Sequence, residues 1–79
     1  MSIEVLDTEQ VNTLRREKGV SKRDVSDAME VSASFGYAMQ KSGTLPEDLP
    51  RRRKVLKALA KYFGVDEQQL IRRLEAKAG

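Results

Sequence analysis

The sequence predicts an all-α domain of five helices, on three observations. First, one helix-start grammar occurs three times. Asp7 with Gln10, Ser21 with Asp24 and Asp66 with Gln69 each join a cap residue to a polar partner that can bond back to the cap's own amide. An apolar residue precedes each cap and another falls at the fourth helical position, pairing Leu6 with Val11, Val20 with Val25 and Val65 with Leu70 as staples. Second, Gly19 after LRREK and Gly64 after LAKYF stand where helices end in a left-handed residue. Third, apolar residues recur at helical spacing, and no strand alternation of useful length is read.

The first helix is expected from about Thr8 to Lys18, with Val11 and Leu14 inward, and the second from Ser21, with Val25, Ala28 and Met29 inward. The third is irregular. After Val31 and the cap Ser32, the fourth helical position is Gly36, which has no side chain to staple. An inward face of Phe35, Ala38 and Met39 would let the phenyl ring fill that volume, so Phe35 is expected to be buried. Either rotation leaves Ala33, Ser34, Tyr37 and Lys41 outward. Ser42 to Pro50 is expected as an extended loop, in which TLPE can form one capped turn before Pro50 redirects the chain. The fourth helix, about Arg51 to Phe63, turns Val55, Leu56, Leu59, Tyr62 and Phe63 to the core. The fifth, about 66–77, aligns Leu70, Ile71 and Leu74 with Ala78 in one stripe. Ile3 and Val5 are left over, as a frayed terminus or a pairing arm.

These 79 residues make one domain, 1–79, comprising a two-helix unit at about 21–41, a basic loop and helix at 42–64, and the C-terminal helix. With 39% apolar and 34% charged residues it can fold alone around a small core. The absence of cysteine removes disulfides and thiolate sites and fits a reducing compartment. Without histidine as well, the usual general base, thiol nucleophile and nitrogen or sulfur metal ligands are missing, so no enzyme, catalytic residue, cofactor or metal is expected. The pairs Glu47/Asp48 and Asp66/Glu67 sit at helix starts, where capping explains them. No apolar stretch approaches the roughly 20 residues of a membrane span, and the N-terminus lacks a basic-then-apolar leader, so a cytoplasmic protein with no membrane partner is expected. No small-molecule site is evident.

Charge is concentrated. Ser42 to Gly64 carries a formal +4 against a total of +3. Within it, Arg51, Arg52, Arg53 and Lys54 lie at a helix N-terminus, where the helix dipole makes each unfavourable by roughly a few tenths of a kcal/mol. The run is either a solvated face or the footprint of a polyanion. Lys22 and Arg23, opening the second helix, are the next cationic pair.

The order of LRREKGVSKRDVSDAMEVS, a short helix and VLKALAKYFGVDEQQL resembles the Cro/C1-type helix-turn-helix family of phage and bacterial repressors, over about Val11 to Leu74. The family's leucine, arginine, glycine and small cap correspond to Leu14, Arg15, Gly19 and Ser21. Its small buried residue corresponds to Ser26, its apolar residues to Val31 and Met39, and its closing pattern to Leu59, Ala60, Phe63, Gly64 and Val65. The chain departs from the family at Lys22 in place of glutamine, Glu30 in place of the turn glycine, Gly36 in place of an apolar residue, and a longer connection to helix four.

The resemblance implies a helix-turn-helix at helices two and three and a sequence-specific regulator of transcription, a small repressor, on double-stranded DNA. It places Ser32, Ala33, Ser34, Tyr37 and Lys41 toward base edges, and Lys22, Arg23, Arg51, Arg52, Arg53 and Lys54 toward phosphates. That reading vocabulary lacks arginine, asparagine and, apart from the late Gln40, glutamine. It rests on hydroxyls, on Ala33 against a thymine methyl and on DNA shape. Because paired sites lie about 34 Å apart, a homodimer on DNA is implied. Gly36 allows close packing against helix one or five, or close approach to a phosphate or base edge. The other function class is a protein-binding adaptor or antitoxin-like module on the same fold, with weak or non-specific DNA binding.

Overall fold

The computed structural model describes residues 2–75. The chain runs β1 (Ser2–Leu6), α1 (Thr8–Lys18), α2 (Lys22–Ala28), α3 (Ala33–Ser42), α4 (Leu49–Phe63), a single 3-10 turn (Glu67–Leu70) and β2 (Ile71–Glu75). β1 and β2 form a two-stranded antiparallel sheet in the register Ser2 opposite Glu75 through Leu6 opposite Ile71. The architecture is therefore mixed: four α-helices and a sheet among the described residues, in place of an all-α bundle of five helices. No helix of these residues is long and apolar enough to cross a membrane.

The fifth helix, expected over about 66–77, is replaced by the 3-10 turn and β2 where the structure describes it, while residues 76–78 lie outside the described residues. Asp66 still caps, but its carboxylate accepts from the Gln68 amide and the turn closes within four residues, after which Ile71 is extended at φ −111, ψ 134. The cause is tertiary. The Asp7 amide donates to the Leu70 carbonyl at 2.8 Å, aligning the two chain ends as a ladder that satisfies backbone groups of both and turns Leu6 and Ile71 toward the core. Along β1, Glu4 and Leu6 share one face and Ile3 and Val5 the other, so the core-facing side is not uniformly apolar.

The caps at the other helix starts form, but the bond back to the cap's own amide is made at Ser21 and not at Asp7, whose amide is taken by the Leu70 carbonyl. Asp7, Ser21 and Ser32 accept from the amides of Gln10, Asp24 and Phe35, and Gly19 and Gly64 end α1 and α4 at φ 73 and 68. The Ser21 amide also donates to the Asp24 carboxylate at 2.9 Å, completing a capping box. That backbone bond first, then hydrogen bonding with the Ser21 side chain and the charge of Arg23, hold the Asp24 carboxyl below its ordinary value of 3.8. A lowered carboxyl contributes stability above its unfolded value that is lost as pH falls through the folded one. Asp24→Asn is expected to remove this part of the acid sensitivity, read as a flatter dependence of the urea midpoint over about pH 2 to 5.

The core is built from Leu6, Val11, Val25, Met29, Met39, Leu45, Val55, Leu56, Leu59 and Leu70, all buried. Arg15 braces the link from α1 to α2, its guanidinium donating to the Val20 carbonyl at 3.1 Å and the Asn12 side chain at 3.3 Å. Residues 43–48 form an ordered connection without the expected TLPE turn. Gly43 ends α3 at φ 78 and its carbonyl accepts from the Leu6 amide at 2.8 Å, while Leu45 and Pro46 are buried and Arg52 Nε donates to the Pro46 carbonyl at 2.9 Å. Asp48 then caps α4, so that Leu49 and Pro50 open the helix two residues earlier than Arg51.

Candidate nucleic-acid interface

The phase of α3 is set at its contact with α2. A Cβ added at Gly36 would sit 1.9 Å from Ser26 Oγ, 2.4 Å from its Cβ and 3.0 Å from its Cα, so only a bare backbone fits. Gly36 therefore packs against α2, and not against helix one or a fifth helix. The Ser26 hydroxyl donates to the Lys22 carbonyl at 3.1 Å, and Gln40 Nε2 donates to Ser26 Oγ, the Lys22 carbonyl and the Gly36 carbonyl at 3.2, 3.0 and 3.1 Å. Polar bonds thus join the two helices where an apolar side chain would otherwise stand. Gln40 is consumed in this role.

With Gly36 and Met39 inward, the expectation for Phe35 is overturned: its ring is 41% exposed and Ala38 is exposed. No void exists for the ring to fill, because α2 and α3 close the space between their backbones. Ala33, Ser34, Tyr37 and Lys41 are exposed as expected and form an outward ridge, to which Ala38 belongs although sequence reading placed it inward. Ser32 stands exposed at the head of that ridge, its hydroxyl oxygen accepting from the Phe35 amide at 3.3 Å. The hydroxyl hydrogen is left for an outside acceptor.

A depression flanks the ridge on each side. One is lined by Lys22, Tyr37 and Lys41 together with Thr8, Glu9 and Asn12 of α1. The other runs beside Ser32 and Phe35 and is bordered by Arg51 and Lys54 of α4, over a floor that includes Met29 and Val55. Cations thus stand on both flanks of α3. Thr8 and Asn12 were not singled out from the sequence, although their spacing of four already put them on one face of α1.

The basic run of α4 does not act as one block. Successive helical residues turn by about 100°, so Arg51 and Arg53 point about 160° apart. Arg51 and Lys54 face α3, whereas Arg53 lies on another side of α4 with Leu49 and Pro50. Arg52 is tied to the Pro46 carbonyl and holds the connection in place. Arg23 is exposed at the start of α2 and lines neither depression.

Glu30 adds strain and charge. At φ 59 it occupies the left-handed region in the turn between α2 and α3, and its carboxylate lies 3.5 Å from Lys54 Nζ with both side chains exposed. A non-glycine residue there costs roughly 1–2 kcal/mol, more than an exposed ion pair returns. Glu30→Gly is expected to raise stability by about 1 kcal/mol, as a higher melting temperature, and to release Lys54 for an outside anion. No cluster of three or more residues suited to holding a metal occurs among the described residues.

No protein-family model, curated protein or solved structure matches the chain.

Proposed function

We propose that this chain binds double-stranded DNA as a sequence-specific regulator of transcription, a small repressor, with α3 in the major groove and two copies on paired half-sites. The observation that carries the reading is the exposed ridge of α3 with Lys22 and Lys41 on one flank and Arg51 and Lys54 on the other. A helix in the major groove has a phosphate backbone on either side, so a reading helix needs cations on both flanks, as here. The motif order from Leu14 to Val65, which resembles the Cro/C1-type repressors, points the same way.

The roles follow from position. Lys22, Arg51 and Lys54 hold phosphates, and Arg23 at the exposed start of α2 extends that contact. Ser34, Tyr37 and Lys41 project toward base edges, Ala33 and Ala38 present methyl groups to thymine, and Ser32 offers its hydroxyl at the groove edge. Arg52 and Gln40 position the elements and leave the contact to their neighbours. A protein-binding module on the same fold is favoured by one feature, Leu49, 60% exposed beside Pro50 and Arg53 and away from α3.

Titration of a labelled duplex at several salt concentrations separates the two. DNA binding through this face gives a log–log slope of about −4 to −5, from four to six phosphate contacts. A flat dependence would favour the protein-binding module.

A further inference from the structure

Among the described residues, the ribbon of β1 and β2 leaves a largely apolar face without a partner. Ile3 and Leu74 stand opposite each other on it, 54% and 45% exposed, with Val5 half-buried beside them and the exposed Arg72 opposite Val5 at the end nearer the core. The other face carries Leu6 and Ile71 toward the core, and Glu4 lies 4.0 Å from Arg73.

We infer that β1 pairs antiparallel with β1 of a second copy, centred on Ile3, to give a four-stranded sheet in the order β2, β1, β1 of the partner, β2 of the partner. The free edge of β1 selects both the partner and the register. Because the Leu6 amide bonds to Gly43 and the Asp7 amide to Leu70, alternation directs the backbone groups of Ser2 and Glu4 away from β2. Centring on Glu4 would oppose two carboxylates, and centring on Val5 would need the Leu6 amide that Gly43 already occupies. Centring on Ile3 opposes Ser2 to Glu4 in hydrogen-bonded pairs and brings Ile3 against its own copy. It also extends the exposed pair into one row across the sheet, Leu74, Ile3, then Ile3 and Leu74 of the second copy. The β2 edge carries Arg72 and Arg73, and charge of one sign discourages the same pairing there.

The contact is small. A three-residue ladder and a row of four apolar side chains fall well below the roughly 1,000 Å² of a stable interface, so the free chain associates only weakly. Neighbouring half-sites raise the effective concentration to the order of millimolar, enough to close the pair. In this respect the inference rests on the DNA-binding reading. β1 also lies against the C-terminal end of α3 through the bond from Leu6 to Gly43, so a two-fold axis at β1 carries an α3 on each side.

The chain has no cysteine, so single substitutions report the contact directly. Opposed residues in a non-hydrogen-bonded antiparallel pair have Cα atoms about 4.5 Å apart, within disulfide range, whereas the two copies of Leu74 would be about 14 Å apart. Full-length Ile3→Cys, Leu74→Cys and Leu49→Cys are oxidised with oxidised glutathione, with and without a duplex of two half-sites, after circular dichroism has verified the fold. The expected result is a disulfide dimer of Ile3→Cys formed at least about tenfold faster than either other variant, and accelerated by the duplex. Equal rates for all three, or faster linkage through Leu74→Cys or Leu49→Cys, would overturn the pairing. Fast linkage of Ile3→Cys without DNA, in a chain that binds no duplex, would uphold the pairing and defeat the DNA-binding reading alone.

Discussion

Gly36→Val is expected to lower stability by about 3 kcal/mol, a fall in melting temperature of about 15 °C. The new side chain would enter the space of Ser26 Oγ and Cβ, force α2 from α3, and break the bonds that Gln40 makes across the contact. Gly36→Ala sharpens the test because two effects oppose each other. In an open helix, alanine would stabilise by about 1 kcal/mol. At this contact the overlap prevails, and a net loss of about 1 to 2 kcal/mol is expected. Gly36→Ala with Ser26→Gly should recover part of that loss, leaving the 3.0 Å approach to the Cα of residue 26. Thermal or urea melts of the three variants suffice, and a Gly36→Ala chain more stable than the parent would refute the close packing.

The second large effect concerns affinity. Removing both Arg51 and Lys54 by substitution with alanine is expected to weaken duplex binding about 50-fold at 0.1 M salt and to reduce the salt slope by about 2. Arg53→Ala should change affinity by no more than about threefold, because its side chain leaves α4 away from α3. The contrast is specific to the two sides of α4, since all three are cations within four residues. Equal losses for Arg53→Ala and Arg51→Ala would mean that total charge, and not its placement about α3, governs binding.

What the sequence revealed and what it hid divide along the range of the interactions. Caps at Asp7, Ser21 and Ser32 and left-handed ends at Gly19 and Gly64 depend on residues within four positions, and they form as expected. The sheet joins Ser2 to Glu75, residues at opposite ends of the chain, and LIRRLE has a helical stripe of its own. Only the partner strand decides between the two, and tertiary pairing overrides propensity. Phe35 shows a different failure. Its burial was expected from the volume missing at Gly36, but the volume is removed by bringing α2 closer, and the clue was the small, hydroxyl-bearing Ser26 facing it. The α3 ridge was largely legible because Ala33, Ser34, Tyr37 and Lys41 face outward in either rotation of the helix, whereas the phase itself is set by Gly36 against Ser26. A turn of about 100° per residue separates Arg51 from Arg53 whichever residue caps α4. Summed charge hides that separation, and α4 begins at Leu49 under the Asp48 cap, two residues before the expected Arg51.

The claim that α3 reads DNA is tested most directly by selecting bound duplexes from a random pool with the parent chain and with Tyr37→Ala. The account predicts enrichment of a motif with two related half-sites about 10 base pairs apart, and a changed preference within each half-site for the Tyr37 variant. A pool that stays random with the parent, or the same motif from both proteins at the positions α3 would face, would contradict it.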